Sequence, residues 1–235
     1  MSRRVPSDHA EAWQRFAARL SRAKAPEAID PPAPEGVCPV LHELVLSFCH
    51  WEATPTQAAT AYARLRDGVV DFNELRVCFE SELEQLLGPR HPNRELCAAR
   101  LRAALQEVYI REQELSLASL VSSGKREARA YLDALEGMTP FVSARVVLLA
   151  LGGHAFPLDD RLRKRLVQEG VLDPSLDAEA AGSWLERQVR AGEAEGVYRR
   201  LEAWAGAARR ASSRKPAAAG VRSAPKGGTR KRRAE

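Results

Sequence analysis

Twice in this chain a threonine sits directly before a proline at the head of an apolar segment: Thr54-Pro55 and Thr139-Pro140. A threonine hydroxyl caps the free amides of a first helical turn, and proline is pre-set for the first helical position, where its missing N–H costs nothing. Each pair therefore fixes a helix start to the residue. Asp71 with Glu74 and Ser81 with Glu84 have capping-box spacing, Asn93 can cap a long helix to about 112, and Asp159 can cap 160–168. So many starts, so close together, demand many short helices. Gly68 ends the helix begun at Thr54, and "GPRHPN" is a loop.

Composition agrees. Aromatic residues make up 6% of the 235, with Ala, Leu and Arg abundant, which favours helix over sheet. The nearest thing to a strand, "VYIREQELSLASL", has an ambiguous period. The expected class is all-α, an irregular multi-helix array of about ten helices rather than a long bundle. Further helices are expected over 41–51, 116–122, 125–135, 140–151, 177–190 and 193–208. Ala10, Trp13, Phe16, Ala17 and Leu20 share one face, so residues 1–24 hold an N-terminal amphipathic helix. A proline-rich linker, 25–37, leads to a helical body over 38–205. The segment 206–235 carries ten Lys and Arg against one acid, and its Ala, Gly, Pro and Ser content predicts a disordered basic tail. The net charge of +5 thus belongs to the tail, which holds +9, while residues 1–205 carry −4. No run approaches the roughly 18 apolar residues of a membrane helix. The N-terminus lacks the apolar core of a signal peptide, so a cytoplasmic location is expected. Cys38, Cys49, Cys78 and Cys97 are too dispersed for a zinc or redox site, as are the five histidines, and no metal is expected.

The segment richest in chemistry is "LEGMTPFVSARVVLLALGGHAFPLDDRL", 135–162. It reads as a helix end, a turn at Gly137, a helix capped by Thr139, a loop, and an acidic pair after an apolar run. Free amides at the start of a helix suit a phosphate; an ordinary corner between two helices has the same pattern. Asp159 is open to two readings, a helix cap or a working carboxylate. Asp160 reads as a first-turn acid on the helix dipole. "RLRKRL" puts Arg161, Lys164 and Arg165 on one helical face, a phosphate strip or a solvated face, and Lys125 can add to it.

This stretch resembles the helix-hairpin-helix and catalytic segment of the endonuclease III-like (HhH-GPD) DNA glycosylase superfamily. The family pattern is L-P-G-V-G-R-K-T-A, an apolar helix, a glycine near its end, then an aspartate after an apolar residue. Leu135, Gly137, Gly152 and Leu158-Asp159 match it without a gap. Upstream, "LHELVLSFCHWEATPTQAATAYARL" is similar to the family's L-L-S-x-Q-T-x-D…A-T-x-x-L. The resemblance covers 38–170 and by architecture reaches 205. It implies duplex DNA as partner, nucleoid association, Gly137, Met138 and Thr139 as the DNA-gripping turn, and Asp159 as the catalytic carboxylate. In that chemistry a carboxylate stabilises positive charge on the sugar after the base is flipped out of the stack.

The departures are informative. The family's nucleophilic lysine falls on Phe141, which cannot form a Schiff base. A monofunctional enzyme is therefore implied, or alternatively an inactive DNA-binding protein, or a helical adaptor whose tail alone meets nucleic acid. Phe141 is hairpin packing or a pocket wall. His50, near the family's glutamine where Cys49 competes, and Trp51 are further pocket candidates, with core roles as the alternative. No cysteine follows residue 168, so the iron–sulfur cluster is expected to be absent and no cofactor is implied. A monomer is expected.

Overall fold

The computed structural model describes residues 7–23 and 30–213. The disordered tail expected from 206 is corrected at its start, because α12 continues to Ser213; residues 214–235 and the linker over 24–29 lie outside the described residues. Within them the chain forms twelve α-helices and no strand. They are α1 (Ser7–Ser21), α2 (Pro39–His50), α3 (Pro55–Asp67), α4 (Phe72–Val77), α5 (Glu80–Leu87), α6 (Arg94–Glu112), α7 (Ser119–Ser122), α8 (Lys125–Asp133), α9 (Pro140–Leu149), α10 (Asp160–Gln168), α11 (Ala178–Gln188) and α12 (Ala194–Ser213), with a 3₁₀ turn at Ala191–Glu193.

The threonine–proline pairs do what their chemistry dictates. Thr54 caps α3 by accepting from the Gln57 amide, and Thr139 caps α9 by accepting from the Val142 amide at 3.2 Å. Asp71 caps α4 through two amides. Ser81 departs from its expected role. α5 begins two residues earlier, at Glu80 with Phe79 as N-cap, and the Glu82 carboxylate takes the Phe79 amide at 2.8 Å, leaving Ser81 inside the first turn. The expected helix over 116–122 is confined to Ser119–Ser122.

The core is organised around α2, buried on all sides from Val40 to His50 and packed against α3, α6 and α9. A helix apolar all round belongs at a centre, yet α2 also carries His42, Glu43, Ser47 and His50. Buried polar groups must find partners, and α9 supplies the main one. Arg145, with no exposed surface, donates to Glu43 and to Asp30 (2.9 Å) and Ser47 (3.3 Å), and to the Tyr198 hydroxyl from α12 (3.2 Å). This ionic knot ties α2, α9, α12 and the chain before α2 into one unit. The apolar face of α1 packs on α12: Phe16 meets Trp204 at 5.0 Å, and Trp13 meets Phe156 edge-on at 6.1 Å. This arrangement brings the C-terminal end of α2 against the N-terminal end of α10.

Candidate active site

Where α2 ends, the backbone turns through Glu52, a non-glycine residue at φ +60°. A side chain there costs about 1–2 kcal/mol of local strain, so something must hold it. The holder is α10. The Glu52 carboxylate accepts from the first two amides of α10, Asp160 at 2.8 Å and Arg161 at 3.2 Å. In return the Glu52 amide donates to the Asp159 Oδ2 at 3.0 Å, while Asp159 Oδ1 takes the Leu162 amide at 2.8 Å. Two carboxylates and four amides thus lock the corner between α2 and α10. Negative charge at a helix N-terminus is favoured by the free amides and the dipole.

Asp159 has no exposed side-chain surface, and its nearest cation, Arg161, has Nε 3.7 Å from Oδ2. Burial pushes its pKa up to about 6; the Glu52 charge adds to the rise, and Arg161 and the Leu162 amide oppose it. At neutral pH the group remains ionised. Behind it lies a second carboxylate, Glu202 of α12, buried against His50 (3.3 Å). Burial alone would raise Glu202, but His50, Arg145 and the Tyr198 hydroxyl hold it down to about 2. His50 has Asp30 on its other nitrogen at 3.1 Å. Burial and Arg145 disfavour its charge, yet the two carboxylates win and its pKa is raised.

The hairpin is α8, the turn 134–139, and α9. Gly137 has φ +77°, and a Cβ there would lie 2.4 Å from the Arg100 carbonyl, so the turn and its seat on α6 both require glycine. Arg100 of α6 donates to the carbonyls of Gly137 (3.4 Å) and Met138 (3.3 Å), and its guanidinium lies 5.6 Å from the centre of the Trp51 ring. One arginine therefore bridges the hairpin turn to the residue preceding Glu52. The line runs hairpin, Arg100, Trp51, Glu52, Asp159.

The remaining site residues separate. Phe141 is buried in the core at 3% exposure and presents no amine. Trp51 is half-buried under Arg100, and His50 is enclosed by its carboxylates rather than open to a pocket. Lys125 and Lys164 are exposed. Arg161 turns toward Asp159, and Arg165 stacks on Trp204 at 5.3 Å, so of the α10 strip Lys164 alone faces outward. Met138 is half-buried and Thr139 is buried at its cap. Sequence reasoning did not single out Glu52, Arg100, Arg145 or Glu202. Glu52 had a signal: in L-L-S-x-Q-T-x-D the acid stands five residues after the serine, and five after Ser47 is Glu52. Arg145 had none, being a lone arginine in an apolar helix. Among the described residues no group of three or more His, Cys, Asp and Glu is set to hold a metal ion, and all four cysteines are free.

No protein-family profile matches the chain, and no curated protein matches it in sequence. Solved structures do match in fold. A trapped covalent endonuclease III–DNA intermediate is 14% identical, with a TM-score of 0.60 over 82% of this chain and 84% of the other. A thermostable thymine-DNA glycosylase is 14% identical, with a TM-score of 0.53 over 84% and 86%. The 8-oxoguanine glycosylase/lyase of Clostridium acetobutylicum, bound to duplex DNA, is 13% identical, with a TM-score of 0.60 over 88% and 71%. The all-α architecture expected from the sequence is thus that of the helix-hairpin-helix DNA glycosylases.

Proposed function

We propose that this chain, which carries the helix-hairpin-helix DNA glycosylase fold, is a monofunctional base-excision glycosylase. It binds duplex DNA through the turn Gly137–Thr139 with Lys125 and Lys164, and hydrolyses an N-glycosidic bond with the help of Asp159. The observation that carries the reading is the placement of Asp159: a carboxylate at the start of α10, linked through Glu52, Trp51 and Arg100 to the hairpin turn. Bond cleavage builds positive charge on the sugar, and a carboxylate in a water-poor corner stabilises that charge far more than one in solvent. The nearby Glu52 and Glu202 carboxylates deepen the negative field. With phenylalanine at position 141 no amine waits for the sugar, so the reading has no lyase step. It involves no metal, cluster or other cofactor, and a monomer acting at the nucleoid in the cytoplasm.

A second reading has its own observation. Both Asp159 oxygens are engaged by amides and the side chain is closed from solvent. A corner that stays locked on DNA belongs to a non-catalytic DNA-binding protein. The experiment that tests the first reading is a panel of duplexes bearing uracil, alkylated purines, oxidised bases and A·G mismatches. The expected result is strand scission only after alkali, with no borohydride-trapped adduct on any duplex. A trapped adduct would refute the monofunctional assignment, and no scission at all would favour the locked corner.

A further inference from the structure

Beside the hairpin, on the side facing α11, the surface holds a cavity of about 280 Å³. Met138, Phe156 and Leu158 contribute apolar surface to its lining, and Leu158 directly precedes Asp159. Its rim carries three carboxylates, Asp133, Glu179 and Glu186, against one cation, Arg129. Arg129 lies 3.2 Å from Glu186 and 3.9 Å from Asp133, so one cation meets three carboxylates and the mouth is net negative. The cavity interior disfavours phosphate, so on the reading that the chain binds DNA, only the outer edge of the turn Gly137–Thr139, whose Met138 and Thr139 line the cavity, meets the DNA backbone. The cavity suits a chain with long alkyl stems ending in positive charge, because lysine and arginine bury their stems while their heads pair at the rim.

The sequence holds one segment of that chemistry. Residues 214–235 carry eight Lys and Arg and a single acid, Glu235. They begin where α12 ends. Those 22 residues span at most roughly 70–80 Å, and a domain of this size is about 40 Å across, so the segment reaches any face of the body. Tethering supplies an effective concentration on the order of millimolar, enough to fill a site too weak to hold a free peptide.

We propose that the basic C-terminal segment 214–235 docks in the acidic cavity between the hairpin and α11 of its own chain. Docked, its cations are withheld from nucleic acid. On the reading that the chain binds duplex DNA, the two engagements compete: if the segment is docked in about three molecules of four, the apparent DNA affinity is about fourfold weaker than that of the undocked state.

The test is zero-length carbodiimide coupling of the full chain at low salt, read by mass spectrometry. Coupling joins a lysine amine to a carboxylate in direct contact. The expected links run from Lys215, Lys226 or Lys231 to Asp133, Glu179 and Glu186 within one molecule, as mixed isotope-labelled chains show, and disappear at high salt. The double variant Glu179→Gln with Glu186→Gln should lose the remaining Asp133 link at least fivefold. Glu80→Gln with Glu84→Gln on α5 removes the same charge elsewhere and should leave it intact. Links spread over surface acids, links between two copies, or an Asp133 link indifferent to the α11 variant would overturn the proposal. Links that persist under saturating duplex would overturn the competition. The first readout needs neither DNA nor activity, so it stands or falls apart from the enzymatic reading.

Discussion

Glu52 offers a sharp test of the corner, because its two features push in opposite directions. Replacing it by alanine removes the acceptor for the Asp160 and Arg161 amides, held at 2.8 and 3.2 Å. Hydrogen bonds to a charged group contribute roughly 1.5–3 kcal/mol each. Glu52 is half-buried, so water partly re-satisfies the exposed amides, and the expected cost is about 2–3 kcal/mol for the pair. The φ of +60° remains, and alanine bears the same strain as glutamate. Glycine loses the same hydrogen bonds but relieves the strain. Glu52→Gly should therefore be more stable than Glu52→Ala by about 1 kcal/mol, inverting the usual order of the two residues. At roughly 2–4 °C per kcal/mol for a chain of this size, thermal unfolding should place alanine about 4–12 °C below the parent and glycine a few degrees above alanine. Both variants keep the Glu52 amide, so Asp159 keeps its cap. Equal stability of alanine and glycine, or either variant within about 0.5 kcal/mol of the parent, would refute the reasoning.

Other expectations follow from the same geometry. Asp159 has a raised pKa, near 6 against an ordinary 3.8, so its contribution favours folding at low pH and weakens as pH rises from about 4 to 6; the stability of the parent relative to Asp159→Asn should drop by up to about 3 kcal/mol across that window in urea titrations. His50 has a raised pKa, so its pairing with Asp30 and Glu202 is fully present below about 6.5 and lost as pH rises through its folded value; His50→Gln should flatten the alkaline limb of a stability–pH profile. Arg145→Met leaves the buried Glu43 facing no guanidinium, while Asp30 keeps Arg199 and His50, and should cost about 3–5 kcal/mol by denaturant unfolding. Gly137→Ala drives a Cβ toward the Arg100 carbonyl at a positive φ; it should lower the melting temperature by several degrees or abolish soluble expression.

Local chemistry made the helices readable. Caps and prolines act within a few residues, so the starts of α3, α4, α9 and α10 follow from the residues that bear them. Ser81 shows the limit, since a second acid in reach, Glu82, moved the start of α5 by two residues. The place of Asp159 at the head of α10 was legible for the same reason, since its carboxylate caps the Leu162 amide three residues on; its catalytic role came from the resemblance alone. What the sequence hid are the partners that arrive from afar. Glu52 reaches Asp160 across 108 residues, and Arg145 reaches Glu43 across 102. No periodicity reports such a pairing. The basic strip on α10 illustrates the converse: Arg161, Lys164 and Arg165 share a face by spacing, but α12 and Trp204 decide which of them meets solvent.

The central claim is that Asp159, at the head of α10, is the reacting carboxylate of a fold whose hairpin holds DNA. Its most direct test is single-turnover base release by the parent and by Asp159→Asn, on whichever duplex the lesion panel identifies, with DNA affinity and circular dichroism measured on the same samples. The account predicts release by the parent, loss of at least about a hundredfold in the variant, and unchanged affinity and helix content. Equal release by both proteins, or no release by either while both bind duplex with the same salt dependence, would contradict it.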